Sequence, residues 1–336
     1  MTAGAPTVLF WAYDLEVPSF RHRLRPVAAE LERRGWRCTL AELPKGRYLR
    51  RIAERREVVG AADLLVLAKM NLGLGEARRL RRLARRIALD LDDAIYLRQP
   101  RRVGDAADVS CIRLARFGRT CDACDLVTAG NERLAAMAAR WNRRVAVVPT
   151  TVEVPPAPPP AAARRPHTLV WIGLPHNLPY LDLVRPALAR LARRHPDLRL
   201  RVVSSAWPDW PEVPVERVAW SPETEADSLA TAGIGLMPLT DDAWSRGKCS
   251  FKLLQYMAQA LPCVASPVGT NVDVVQHGET GFLASSPSSW EEALARLLTD
   301  ESLAHDMGQS GFEHVRRSWS REPWVHRHAD LYEALV

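Results

Sequence analysis

Long apolar runs are missing from this 336-residue sequence. No segment approaches the roughly 20 apolar residues that a membrane span requires. The opening run Thr7–Ala12 is too short for a signal peptide and is followed at once by Asp14 and Glu16, so a cytoplasmic protein is expected. Cysteine is sparse as well: six residues at this length do not make a disulfide scaffold. Cys121 and Cys124 have C-x-x-C spacing, but no second pair follows at zinc-finger distance, and with Cys111 a fourth ligand is still wanting. They read as small thiols packed before a strand. Histidine is nearly absent from the first 150 residues, where His22 stands alone. A histidine base or a histidine-rich metal centre has little to draw on there.

What is present describes an ordinary globular chain, 47% apolar and 25% charged, long enough for two domains with separate cores. Its net charge of +7 is lopsided. Residues 1–150 carry 29 basic against 17 acidic side chains, a net of +12, and the remainder 17 against 22, a net of −5. Much of the excess lies in the run from Glu76 to Ile87, where six arginines between Arg78 and Arg86 oppose an apolar face of Leu80, Leu83, Ala84 and Ile87. Two readings stay open for that face: a solvated helix surface, or contact with anionic lipid headgroups and thus membrane association. Nucleic acid is not expected, since the arginines lack interleaved aromatics and a reading-head motif.

Apolar β-runs alternate with amphipathic helical stretches from end to end, the pattern of parallel α/β sheets. Strands are predicted at Val8–Trp11, Arg37–Leu40, Leu64–Leu67, Ile87–Leu91, Leu126–Thr128 and Val145–Val148. Pro155 to Ala163, with five prolines, excludes helix and central strand and reads as a linker. The pattern then restarts with Thr168–Ile172, Leu200–Val203 and Ile234–Met237. Two doubly wound domains, 1–150 and 151–318, imply a cleft between them.

The stretch Arg246–Gly281 is the most informative. Arg246, Lys248 and Lys252 are predicted to open a helix, with the two lysines one turn apart on one face. The helix runs into the strand Cys263–Ser266 and then Pro267-Val268-Gly269. Cations and free N–H groups at the carboxyl edge of a parallel sheet suit a phosphorylated ligand. They can stabilise a departing diphosphate without solvent reorganisation. Cations at a helix N-terminus oppose its dipole, a local cost of the kind functional sites show. Met257-Ala258, Leu261-Pro262 with the strand after it, Val268-Gly269 and Gly278-Glu279-Thr280-Gly281 together resemble the nucleotide-sugar half of family 4 glycosyltransferases of the GT-B fold.

That resemblance spans nearly the whole chain, more closely from about Val145 to Ser320. It implies two Rossmann-like domains facing across a cleft, with a C-terminal segment, about 319–336, packed back on the first. Family members typically carry two glutamates eight residues apart near the basic cluster, the second holding the ribose hydroxyls. Here those positions are Gly247 and Gln255. Gln255 keeps an amide oxygen for a ribose hydroxyl, and Ser204 and Trp220 are candidate base contacts. Gly173, Gly269 and Thr270 join the cations as diphosphate contacts, Gly173 because a missing side chain lets backbone approach. A simple helix cap is the competing role for Thr270.

In the first domain Asp92 and Asp93 follow a strand where relatives carry histidine and aspartate, which implies a catalytic role for the pair. A carboxylate there can orient a hydroxyl, act as a base or stabilise oxocarbenium-like charge. A magnesium site and a helix cap compete for the same residues. Arg21 and Arg23 are candidates for the donor phosphates across the cleft or for an anionic acceptor. Asn131 is a candidate sugar contact, with N-capping as the rival duty. The expected activity is transfer of a sugar from a nucleotide-sugar donor to an unidentified acceptor, by resemblance with retention, without metal and without cofactor. A non-hydrolysing nucleotide-sugar epimerase and a GT-B module that has lost chemistry are the alternatives.

Overall fold

The structure is a computed structural model, described for residues 4–43, 46, 48–100, 105, 110–160 and 164–336. The last three residues of the predicted linker, 161–163, lie outside the described residues; 155–160 form neither helix nor strand.

Two six-stranded sheets organise the chain. The first contains β1 (Thr7–Ala12), β2 (Arg37–Glu42), β3 (Leu64–Ala68), β4 (Arg86–Leu91), β5 (Leu126–Ala129) and β6 (Val145–Val147), in the order β2-β1-β3-β4-β5-β6. The second contains β7 (Thr168–Ile172), β8 (Arg199–Ser204), β9 (Val215–Ala219), β10 (Ile234–Met237), β11 (Cys263–Ala265) and β12 (Phe282–Leu283), in the order β12-β11-β10-β7-β8-β9. Every neighbouring pair is parallel. Helices cover both faces, which is why β3, β5, β7, β10 and β11 are buried at nearly every position and read as unbroken apolar runs. Each sheet has its own pair of apolar cores, one per face.

Strand order reverses at β1/β3 in the first sheet and at β7/β10 in the second. Ligands of open α/β sheets bind outside the carboxyl ends at such points. Lys69 follows β3 and Gly173 follows β7, so both switch points open onto the same cleft.

The chain crosses between lobes at Val152, which bridges to Ser320. The terminal helix Arg321–Glu333 then packs on the first lobe. Ala329, Tyr332 and Leu335 join the core beneath β1 and β3, and Arg34 binds Asp330 and Glu333 at 2.6 and 2.7 Å.

Several boundaries differ from the sequence reading, each for a local reason. The arginine-rich helix is Leu74–Leu83, shorter than the run suggested, because Ala84 turns extended and Arg86 already begins β4. The helical stretch between β7 and β8 starts as a 3-10 segment, Pro175–Leu183, with Pro179 inside it, and becomes α-helical only over Arg185–Arg194. A π-helical turn, Phe20–Leu24, precedes the first α-helix, Arg25–Arg33. Among the described residues, no helix is long and apolar enough to cross a membrane.

Candidate active site

The helix carrying Lys252 begins at Phe251, not at Arg246. Arg246 lies in a short 3-10 turn, Ser245–Gly247, Lys248 is extended, and Ser250 takes the left-handed conformation at φ +53°. The predicted helical pairing of Lys248 with Lys252 is therefore incorrect, although the strained turn still brings the two ammonium groups together. Lys248 Nζ lies over the rings of Trp244 and Tyr180 at 5.7 and 5.8 Å, and Lys252 Nζ over Trp171 at 5.5 Å. Gly173 makes room for this arrangement, since a Cβ there would come within 2.9 Å of Lys252 Cε. Arg246 does not join them. It is exposed and forms a bidentate pair with Asp241 on the rim of its own lobe.

Opposite the two lysines stand Asp92 and Asp93, just past the end of β4. Both bind Lys69, whose ammonium is 3.0 Å from Asp92 Oδ1 and in contact with Asp93 Oδ2. Lys69 is one of three non-glycine residues with positive φ, at +51°, among the described residues. Such strain is held only where surrounding contacts over-determine it. Burial acts on every group in this cluster. It pushes the Asp92 carboxyl up, Asp93 adding to the effect and Lys69 opposing it. For Asp93 burial also acts upward, but Lys69 and Lys248 outweigh it and hold the carboxyl below its usual range. The ammonium of Lys248 is pushed down by burial against the pull of Asp93. Lys252 falls to about 7 through burial and then repulsion from Lys248. His176 is lowered by burial and by both lysines, placing it in the same field.

With Lys69 bound to both carboxylates, the magnesium reading has no support in the donor set. Among the described residues no cluster of His, Cys, Asp and Glu has metal-holding geometry.

Contacts across the cleft hold this cluster together. Asn131 caps its helix through Leu134 N and donates to the carbonyls of Gly247 and Lys248 at 3.1 and 3.3 Å. Both ends of its amide are thereby engaged, so it does not present a sugar contact. Cys249 Sγ donates to Asp92 O at 3.2 Å. Gly247 packs on Ala94, where an added Cβ would sit 2.8 Å from Ala94 Cβ. A glutamate at 247 has no space while the lobes meet in this way. His22 stacks on Phe251 at 4.4 Å, and its imidazole is lowered to about 3, chiefly by burial.

Other candidates are placed differently from the sequence reading. Arg23 is buried and forms a bidentate pair with Asp90 at 2.8 and 2.9 Å, and it also donates to Val148 O. It is therefore unavailable to a phosphate or an acceptor. Arg21, two residues earlier, stacks over Trp220 of the other lobe at 5.0 Å and has a buried Nη1 without a hydrogen-bond partner. Ser204 is fully buried, its hydroxyl accepting from Ala206 N at 3.5 Å. Thr270 donates to Lys248 O at 2.8 Å, and Gly269, at φ +56°, lies against the Arg246 backbone. The Thr270 hydroxyl is thus spent on shaping the lysine loop, and Gly269 lets that loop pass close. Gln255 donates to Glu225 Oε1 at 2.7 Å, and Trp220 Nε1 donates to Glu225 Oε2 at 2.6 Å.

Lys69, His176 and Glu225 escaped the sequence reading. A usable signal existed for the first, because the chain has only four lysines among its 46 basic residues and three of them are Lys69, Lys248 and Lys252. A cavity of about 740 Å³ at the amino ends of β7–β9, lined by Arg165, His167 and Asp197 among others, is on the far side of the second sheet.

Residues 166–300 match the family described as glycosyl transferases group 1. A D-inositol 3-phosphate glycosyltransferase from Corynebacterium aurimucosum is 33% identical over 178 residues, covering 46% of this chain and 41% of that protein. An N-acetyl-alpha-D-glucosaminyl L-malate synthase from Bacillus anthracis is 33% identical over 82 residues, 24% of this chain and 22% of that protein. The chain thus matches less than half the length of these curated relatives. Among solved structures, sucrose-phosphate synthase from Thermosynechococcus elongatus superposes with a TM-score of 0.75 at 15% identity, covering 98% of this chain and 99% of that one. Anabaena HepE in complex with UDP gives 0.72 at 10% identity, covering 98% and 100%. The chain therefore has the GT-B glycosyltransferase fold, and its second lobe is similar to the group 1 glycosyl transferases.

Proposed function

We propose that the protein transfers a sugar from a nucleotide-sugar donor bound by the second lobe to an acceptor bound by the first, with retention of anomeric configuration and without a metal. The observation that carries this reading is the pair Lys248 and Lys252. They are half-buried, walled by Trp171, Tyr180 and Trp244, and turned toward the carboxylates of the opposite lobe. Cations held in a poorly solvated groove stabilise a leaving diphosphate far better than they would in water. The bond from the anomeric carbon to the diphosphate oxygen breaks with its electron pair moving onto the diphosphate. On the face that the diphosphate leaves, as retention requires, a new bond forms to the acceptor hydroxyl oxygen, and the hydroxyl proton passes to the Asp92–Asp93 pair. Lys69 fixes that pair at the reacting centre. UDP and UDP-glucose bind to Anabaena HepE, which makes uridine nucleotides the first donors to try.

A thermal-shift screen of UDP, GDP and their sugars tests the reading. A ligand at a hundredfold excess over Kd stabilises by about 2.7 kcal/mol. Donor binding should be followed by release of free nucleoside diphosphate when acceptor sugars are added. No shift with any nucleotide would end the proposal, whereas binding without turnover on a broad acceptor panel would favour a module that has lost chemistry.

A second reading concerns where the protein works. Arg81 and Arg85 pair with Asp125 and Asp63. Arg78, Arg79 and Arg82 are exposed and have no ion pair among the described residues, leaving them available to anionic lipid. Equal sedimentation with phosphatidylserine and phosphatidylcholine vesicles would exclude that contact.

A further inference from the structure

Below Lys252 on the same helix the sequence places an amide, Gln255, where the resemblance implies a carboxylate. The structure returns a carboxylate to this spot from another element. Glu225 stands in the first turn of the helix Pro222–Ala230, whose N-cap Ser221 accepts from Thr224 N. Its Oε1 accepts from Gln255 Nε2 at 2.7 Å and its Oε2 from Trp220 Nε1 at 2.6 Å. These two donors lock the carboxylate and fix the orientation of the Gln255 amide, because the reversed amide would set oxygen against oxygen. Each carboxylate oxygen keeps a second lone-pair direction. The two oxygens of one carboxylate match the two hydroxyls of a vicinal diol.

Position along the helix supplies the scale. Lys252 and Gln255 are three residues apart, so their side chains are neighbours about 5–6 Å apart on one face. That is the span between a nucleotide's phosphate and the hydroxyl edge of its ribose. A second observation marks the same corner. Arg21 of the first lobe lies over Trp220 at 5.0 Å, with its Nη1 buried and no acceptor for it. Buried donors are rarely left without a partner, so an orphan here points to an acceptor that arrives with a ligand.

We propose that Glu225 holds the ribose hydroxyls of the donor, and that the site thereby selects ribonucleoside over 2′-deoxyribonucleoside diphosphate sugars. This rests on the reading that Lys248 and Lys252 hold the diphosphate. A site built to bond a hydroxyl rejects the analogue lacking it, because its own polar group is then left unpaired.

The test is calorimetric titration of the full-length protein with UDP, 2′-deoxy-UDP and inorganic pyrophosphate, repeated with GDP and 2′-deoxy-GDP. Wild type, Glu225→Gln, Glu225→Ala and Lys252→Ala are compared. Wild type should prefer the ribonucleotide at least tenfold. Both Glu225 variants should bring the two nucleotides within threefold of each other and leave pyrophosphate binding unchanged, which a general loss of folding would not do. Equal binding of UDP and 2′-deoxy-UDP by wild type, or a preference that survives in both variants, overturns the assignment. Pyrophosphate binding untouched in Lys252→Ala would instead sink the diphosphate reading, so the two failures are distinguishable.

Discussion

The two lobes share one architecture and treat charge at their strand ends in opposite ways. In the first lobe Arg23 and Lys69 are each held by carboxylates of the same lobe, whereas Arg21 is turned onto Trp220 of the other. Arg23 is paired with Asp90, which also accepts from Thr128 Oγ1 at 2.8 Å, and His328 of the terminal helix closes the set through Thr128 and Tyr332 at 3.2 and 2.9 Å. Lys69 is shared by Asp92 and Asp93. In the second lobe, Lys248 and Lys252 are surrounded by aromatic rings, and the carboxylate acting on both is Asp93 of the opposite lobe. Charge satisfied within a lobe builds that lobe, whereas charge completed only across a cleft is available to a ligand.

Arg23→Leu should produce the largest effect, on stability alone. Removing one member of a buried ion pair costs about 3–5 kcal/mol because the other charge is stranded, a loss that urea denaturation would show. The acid limb sharpens the test. Burial acts upward on the Asp90 carboxyl, but Arg23 outweighs it and holds it below its usual value. Its contribution is thus complete above the unfolded value, near 4, and disappears as the pH falls through the folded one. In the variant the stranded carboxyl is raised, so acid should relieve part of the deficit. A deficit under 1 kcal/mol would mean that the pair is not what anchors this lobe.

Next in size, Lys248→Ala and Lys252→Ala should each weaken UDP or GDP binding by about 10- to 100-fold, the range of charge-assisted hydrogen bonds of about 1.5–3 kcal/mol. Both apo-proteins should stay folded, since each change relieves a desolvated cation. Arg246→Ala, removing an exposed pair with Asp241, should change affinity little. If all three variants behave alike, the contrast between satisfied and waiting charge is wrong.

The same contrast explains what the sequence disclosed. Periodic apolar strands announced both sheets, because burial on two faces leaves a run such as Leu64–Leu67 without alternation. Lys248 and Lys252 were legible as cations at a carboxyl sheet edge. Arg21 and Arg23 could not be told apart, since two residues of one π-helical turn differ only in which way the turn points them, and that depends on Asp90 and Trp220 far along the chain. Glu225 was invisible for the same reason: thirty residues separate it from Gln255. Asn131 looked like a helix cap and is one, but its grip on Gly247 and Lys248 belongs to the closed cleft, which no local pattern encodes.

Gly247→Glu tests how tightly the lobes meet. A Cβ there would come 2.8 Å from Ala94 Cβ, and overpacking of this kind costs about 1–3 kcal/mol. The side chain can escape by parting the lobes. Small-angle scattering should then show a larger radius of gyration than wild type, with secondary structure unchanged. Gly247→Ala, at the same contact with a smaller group, should fall between. An unchanged radius in both would mean that Gly247 does not set the closure.

The last expected effect, small near neutrality and growing with pH, concerns protons, and it separates a waiting cation from a satisfied one most directly. Burial and Lys248 hold the Lys252 ammonium at about 7 in the empty site. A bound diphosphate raises that value, because an adjacent anion favours the charged form. Below pH 7 the lysine is already charged and affinity is insensitive to pH on its account. Above pH 7 binding must take up a proton, so affinity falls by up to about tenfold per pH unit, and the heat of binding depends on the buffer's heat of ionisation. Lys252→Arg stays charged throughout and should flatten this limb while retaining binding. Titrations between pH 7 and 9 in two buffers decide the matter. A wild-type affinity that stays flat over this interval, or a slope that persists unchanged in Lys252→Arg, would show that Lys252 enters the complex already charged and that its isolation among aromatic rings has no bearing on how the donor is held.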